Sequence, residues 1–245
     1  MIGHLAHASP PVAIRAGGRG ALDVVAAPPG PTAGTTRRRR TAARVLDLLV
    51  SGVALVLLAP LMAAIAVLVR CTSPGPALFR QVRLGQHGRP FVVLKFRTMY
   101  VDVDDRLHRE YVRRLLVEPA AVAPGPGGLY KLVDDPRITP LGRWLRTSSL
   151  DELPQLINVL RGEMALVGPR PVLPWEAALF PPRHSARFLV PPGLTGLWQT
   201  SGRNRLTMTE ALDLDVDYVQ RQSLLLDLRI LLRTVPVVLG REGVR

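Results

Sequence analysis

An aspartate and a glutamate in tandem, Asp151–Glu152, stand in a stretch dense in arginine. Arg143 and Arg146 precede them, and Arg161 and Arg170 follow. An ionised carboxylate among cations suits phosphoryl chemistry. Its oxygen attacks phosphorus, splitting one difficult displacement into two easier ones, while arginine forks, usually with Mg²⁺, neutralise the phosphoryl oxygens. Arg146 is close enough in sequence to point at the same phosphate as the dyad, although each arginine taken singly also fits an ordinary basic surface. Ser149-Leu150-Asp151-Glu152 further matches a capping box, with Ser149 as N-cap and Glu152 reaching back. If Ser149 caps, Pro154 falls inside the helix, where its missing N–H costs a bond. If Asp151 caps, Pro154 falls in the first turn, where the loss costs nothing. Either way the dyad sits at a helix N-terminus, whose positive potential favours ionised carboxylates and phosphate. Leu153, Leu156, Ile157 and Leu160 have the spacing of that helix's buried face.

Two further clusters carry candidate groups. In Lys95-Phe96-Arg97-Thr98-Met99, strand alternation sets Lys95, Arg97 and Met99 on one face and Phe96 and Thr98 on the other; a solvated strand face is the competing reading. Pro192 to Asn204 offers turns, hydroxyls, an amide and the Trp198 ring, chemistry suited to a nucleotide base or a sugar. There is no G-x-x-x-x-G-K-[ST] and no G-x-G-x-x-G between strand and helix. His4, His7, His87, His108 and His184 have no metal-site spacing.

These groups must be positioned by a chain of 245 residues with 32 Lys+Arg against 19 Asp+Glu, a formal charge of +13. That imbalance calls for an anionic partner, and a mean hydropathy of +0.18, high for so basic a chain, favours a membrane surface over nucleic acid. The single cysteine, Cys71, rules out an internal disulfide and fits a reducing compartment. Residues 1–36 lack apolar periodicity and read as disordered, and the basic run Arg37–Arg40 that follows them is suited to anionic headgroups. Val45 to Val69 is nearly unbroken Leu, Val and Ala, long enough for a hydrocarbon core that needs roughly 20 residues. Pro60 divides it into two pieces, each short for a crossing, and positive charge flanks both ends, with Arg44 before it and Arg70, Arg80 and Arg83 after. A helix that enters, breaks at Pro60 and returns satisfies both facts; a spanning helix stays open, since prolines occur in those too. A signal peptide fits poorly, because the run is too long and too far from Met1.

Beyond Thr72 the composition is that of a soluble domain. Phe79–Gly88 and Pro90–Met99 predict a hairpin around His87-Gly88, Asp102–Val117 a helix, and Ala120–Gly128 a Pro/Gly loop. Leu224–Leu239 suits either a helix at the bilayer interface or one in the core. The expected fold is thus α-rich α+β: a tail (1–40), a membrane-embedded Pro-broken helix (41–70), and a cytosolic domain (71–245) of helices with a small β-hairpin.

Several motifs in order, from about Arg44 to Gly240, resemble the bacterial sugar transferases, the monotopic polyprenyl-phosphate phosphoglycosyl transferases. They are the Pro60-broken apolar helix, Ser73-Pro-Gly-Pro, Phe79-Arg-Gln-Val-Arg-Leu-Gly85, Lys95-Phe-Arg-Thr-Met99, Asp135-Pro-Arg-Ile138, Ser149-Leu-Asp-Glu-Leu-Pro-Gln155, Val167-Gly-Pro-Arg-Pro171 and Pro192–Asn204. The resemblance implies a re-entrant helix in the inner membrane and a cytosolic active site. It implies transfer of a sugar 1-phosphate from a UDP-sugar to undecaprenyl phosphate, with release of UMP, to begin an exopolysaccharide or glycoconjugate. Carried over by motif, Asp151 is the nucleophile and Glu152 its partner, tied to Mg²⁺ or to the acceptor phosphate. Arg146 holds phosphate, and Lys95, Arg97 and Arg170 line the site. Anionic inner-leaflet lipid is an expected partner, nucleic acid is not, and a homo-oligomer is compatible with the sequence. Two departures stand out: the extra spans and domain that precede this unit in larger members are not seen, and Ala59-Pro60 replaces the frequent Ser-Pro. The long Asp102–Tyr130 segment resembles the exopolysaccharide branch, pointing to glucose or galactose as donor sugar. A basic membrane-anchored scaffold, its Ser-Leu-Asp-Glu box merely a cap, is the rival reading.

Overall fold

The computed structural model describes residues 14–16, 22–24, 33–101, 106–117, 135–202 and 206–239. Ile14–Ala16 (β1) and Leu22–Val24 (β2) pair antiparallel; the rest of the stretch read as a tail, up to residue 32, lies outside the described residues. The Leu/Val/Ala run forms α1, Ala33–Thr72, continuous through Pro60. The sequence predicted a break there. Pro60 removes one amide donor, yet both halves of the helix are held along a single face. Asp47, Ser51, Ile65 and Val69 are buried on it, with Ala54, Leu55, Met62 and Ala66 packed beside them, at the three- and four-residue intervals of one helical stripe. Elsewhere around the helix, Leu49, Val53, Val56, Leu57 and Val67 are exposed. A helix on a water-soluble domain carries polar residues there; this one presents hydrocarbon.

Polar contacts fasten both ends of that run. Near its start, Arg44 donates to the carbonyls of Val159 and Leu160 at 2.5 and 2.8 Å, and Asp47 Oδ1 accepts from the Leu166 amide at 2.9 Å. At its end, Arg97 Nη2 donates to the Val69 carbonyl (3.2 Å), the Ser73 carbonyl (2.7 Å) and the Ser73 hydroxyl (2.9 Å), and Nη1 donates to the Pro74 carbonyl. A cation at a helix C-terminus satisfies carbonyls that have no further amides to meet.

The predicted hairpin is present. Leu78–Leu84 (β3) and Pro90–Phe96 (β4) pair antiparallel from Leu78↔Phe96 to Leu84↔Pro90, and the chain turns through His87 (φ 57°) and Gly88 (φ 70°). Arg106–Val117 (α2) follows, burying Val112 and Leu115; the expected Pro/Gly loop lies outside the described residues. Then come Pro140–Thr147 (α3), Gln155–Arg161 (α4), Ala165–Val167 (β5), Pro174–Ala177 (α5), a 3₁₀ run Pro182–Leu189, Gly193–Thr195 (β6), Leu197–Thr200 (α6), Met208–Arg221 (α7) and Leu224–Leu239 (α8). β5 and β6 are parallel. The described residues thus form a helix-rich α+β fold with three two-stranded sheets.

The main core joins Leu156 and Val159 of α4, Leu166 and Val167 of β5, Tyr218 of α7 and Ile230 of α8. Each such side chain contributes about 1.5–3 kcal/mol by leaving water. The buried face of α4 differs from the predicted one: Val159 is fully buried while Leu160 is 36% exposed. The helix starts only at Gln155, so Leu153 is not on it and cannot set its phase. α8 divides the two roles its sequence allowed, with Asp227 and Ile230 buried and Leu225, Leu228, Leu232 and Val235 exposed.

His184, in the 3₁₀ run, is buried completely, with Nε2 2.7 Å from Asp213 Oδ1. Burial pushes its pKa below 6.5, against the pull of Asp213. A His depressed in the folded state binds fewer protons folded than unfolded. Its stabilising contribution is therefore complete above pH 6.5 and is lost as pH falls through the folded pKa. Melting temperatures measured from pH 8 to pH 5 are expected to fall more steeply for the wild type than for His184→Gln; equal slopes would rule His184 out as the responsible group.

Candidate active site

Between α3 and α4 the chain turns at Ser149, which adopts left-handed φ 56° and ψ 14°, and runs through a 3₁₀ turn, Leu150–Glu152. Ser149 makes no side-chain cap bond, and α4 is capped at Pro154. Neither cap placement expected from the sequence forms. Glu152 N donates to the Ser149 carbonyl at 3.2 Å and Leu153 N to the Leu150 carbonyl at 3.3 Å, so the tighter turn uses these amides and the helix waits until after the proline.

Glu152 Oε1 accepts from Lys95 Nζ at 2.9 Å and from both terminal nitrogens of Arg170 at 3.3 Å. Asp151, 8% exposed, lies beside it. Burial lowers the Lys95 pKa, opposed chiefly by the charge on Glu152 and also by Asp151. Burial likewise lowers that of Arg146, with Asp151 the strongest opposing charge and Asp135 next. Arg146 Nε donates to Thr98 Oγ1 at 2.9 Å. The approach of α3 that permits this depends on Gly142, where a Cβ would overlap the Thr98 carbonyl; Thr139 N meets that same carbonyl at 3.0 Å. Asp135 is held bidentately by Arg137 at 2.8 and 2.7 Å, which keeps its carboxyl below the usual range.

The fold therefore gathers Asp151, Glu152, Lys95, Arg146 and Arg170 from a 3₁₀ turn, a strand, a helix and a loop. Arg97 goes elsewhere: β4 ends at Phe96, so the alternation that pairs it with Lys95 stops short, and its guanidinium caps α1. Arg143 and Arg161 are exposed. Trp198 is 6% exposed and packs against Leu115, Met208, Ala211 and Leu212, so its ring is core rather than a stacking plane; Arg203 and Asn204 lie outside the described residues. Thr98, Asp135 and Arg137 enter the site's surroundings unassigned by sequence reasoning, although the Lys95–Met99 and Asp135–Ile138 motifs contain them. Among the described residues no three or more His, Cys, Asp or Glu gather to hold a metal. Carboxylates such as those of the dyad are hard oxygen donors, the chemistry that Mg²⁺ takes alongside phosphate oxygens and water.

The sequence profile of the bacterial sugar transferases matches residues 38–241. The exopolysaccharide production protein ExoY of Sinorhizobium fredii is 43% identical over 82% of this chain and 86% of its own length. The UDP-glucose:undecaprenyl-phosphate glucose-1-phosphate transferase of Caulobacter vibrioides is 42% identical, over 82% of this chain and 70% of its own. The undecaprenyl-phosphate galactose phosphotransferase of Salmonella typhimurium is 39% identical, over 84% of this chain but 42% of its own. The chain belongs to the bacterial sugar transferase family and is an enzyme, a phosphoglycosyl transferase.

Proposed function

We propose that this enzyme moves a sugar 1-phosphate from a UDP-sugar to undecaprenyl phosphate at the cytosolic face of the inner membrane, releasing UMP and initiating an exopolysaccharide or related glycoconjugate. The observation that carries the reading is the cluster in which Glu152 meets Lys95 and Arg170 beside buried Asp151. The names of the relatives supply the substrate class and favour glucose or galactose as the donor sugar.

Asp151 attacks the phosphorus that bears the sugar. A carboxylate O–P bond forms, the bridging P–O bond of the diphosphate breaks, and its electron pair leaves on UMP. An oxygen of undecaprenyl phosphate then attacks the same phosphorus, the Asp151 O–P bond breaks, and the carboxylate is regenerated. Lys95, Arg146 and Arg170 hold phosphoryl oxygens as charge develops. Arg97 serves the site at one remove by fastening the end of α1. Glu152 would hold Mg²⁺ together with the donor's diphosphate, and the ion would supply neutralising charge.

In this reading α1 dips into the bilayer and returns with both flanks on the cytosolic side, the missing amide of Pro60 letting the continuous helix bend there. Support comes from its two ends, fastened to the same globular body through Arg44 and Asp47 at one and Arg97 at the other, while hydrocarbon faces outward between them. The outward leucines of α8, with exposed Arg229 and Arg233 on the same helix, suit an interface with anionic lipid. The scaffold reading leaves the carboxylate–cation cluster without a purpose.

The test follows UMP release from a panel of UDP-sugars by purified protein in nanodiscs with undecaprenyl phosphate and Mg²⁺. Turnover of one donor names it; a wild type that turns over none of the panel refutes the reading. For the helix, cysteines introduced before Val45 and after Cys71 are expected to react with a membrane-impermeant label from one side only, and reaction from opposite sides would establish a span.

A further inference from the structure

The loop carrying Arg170 is held in an unusual manner. Pro169 and Pro171 flank the arginine, and neither has an amide hydrogen to donate, so the loop's register is set mainly through its carbonyls. Four consecutive carbonyls each have a donor from elsewhere in the fold. Gly193 N meets Pro169 O at 2.9 Å and Leu84 N meets Val172 O at 2.9 Å. Arg83 Nη1 meets Pro171 O at 2.6 Å, and Arg187 Nη2 meets Arg170 O at 2.8 Å. The last contact is on the residue whose side chain reaches Glu152.

Arg187 is itself fixed. It is 3% exposed, its Nε and Nη2 donate to Asp215 Oδ2 at 3.1 and 2.7 Å, and the rings of Phe180 and Phe188 lie 5.2 and 5.5 Å from its guanidinium carbon. Asp215 is 2% exposed. A buried ion pair is a weak source of stability, because desolvation offsets much of the attraction. What this pair does supply is a rigid donor at one defined point, and that point is the backbone of Arg170.

We propose that Arg187, anchored by Asp215, is a positioning residue that sets the Arg170 guanidinium for the donor's diphosphate. The inference rests on the reading of Arg170 as a phosphate ligand. It predicts that Arg187 acts on the ligand only through Arg170. Without the fork of Arg187 the Arg170 carbonyl loses that donor, and the guanidinium on the same residue shifts with the relaxed backbone.

The probe is UDP, whose diphosphate is common to every donor of this class, titrated by calorimetry into the full chain in nanodiscs. Arg170→Lys and Arg187→Lys are each expected to weaken UDP by about tenfold, the scale of one charge-assisted hydrogen bond. Because the second acts through the first, the double variant should be no weaker than Arg170→Lys alone. Multiplicative losses in the double variant, or wild-type affinity in Arg187→Lys, would overturn the proposal. If Arg187→Lys does not fold, Asp215→Asn takes its place: it should weaken UDP on the wild-type background and leave Arg170→Lys unchanged, and an equal loss on both backgrounds overturns the proposal. Unaltered UDP affinity in Arg170→Lys would instead refute Arg170 as a phosphate ligand, and with it the basis of the inference. A purely structural role would lower the melting temperature without this coupling.

Discussion

Asp151→Asn is expected to lower UMP release by about 10⁴-fold or more, the scale seen when a covalent nucleophile is removed. The amide matches the carboxylate in size, so the 3₁₀ turn that carries it should persist and the melting temperature should change little. What disappears is an oxygen able to bond phosphorus. A second readout separates this loss from mispositioning. Incubated with a radiolabelled UDP-sugar and no acceptor, the wild type should retain label on protein through denaturation, and the label should be released by hydroxylamine, as for an acyl phosphate. Asp151→Asn should retain none. Turnover by the variant would leave a transferase standing but would remove Asp151 as its nucleophile.

Glu152→Gln should act differently, because Glu152 is the hub between two cations. Its Oε1 carries both the Lys95 and the Arg170 contacts. Neutralising it releases both, and a loss of about 10²-fold is expected from misplacement of the phosphate-holding groups. The pH profile should move as well. Burial already lowers the Lys95 pKa, and the charge on Glu152 is the main force raising it. Removing that charge lets the pKa drop further, so Lys95 loses its proton at a lower pH and the alkaline limb of activity shifts toward neutrality. A reduced rate with an unmoved alkaline limb would mean that Lys95 does not carry the alkaline transition.

The remaining cations illustrate how far spacing alone could lead. Lys95 and Arg97 look equivalent on an alternating strand, yet one meets the dyad and the other caps α1, because the strand stops between them. Arg146 was identified by its nearness in sequence to Asp151, and it does lie in that carboxylate's field. The contact that orients it, Thr98, depends on a glycine that admits backbone to backbone. Arg187 had no local signal at all: its partners Arg170 and Asp215 are distant in the chain, and no motif connects them.

The sequence by itself determined the family, the long apolar helix and the hairpin. The family is carried by an ordered set of motifs, and the other two depend on local chemistry: an apolar run with one proline, and two extended segments around His87-Gly88. Tertiary structure alone decided three other things. The helix stays continuous at Pro60, because a buried stripe from Asp47 to Val69 holds both halves. The dyad is served by a 3₁₀ turn rather than a capping box, because the amides after Ser149 bond within the turn. And Arg170 faces Glu152, because four carbonyls of its loop are held by donors from Leu84, Arg83, Arg187 and Gly193. Periodicity reports which face of a segment is buried; which side chain of another segment meets it is set only when the chain closes on itself.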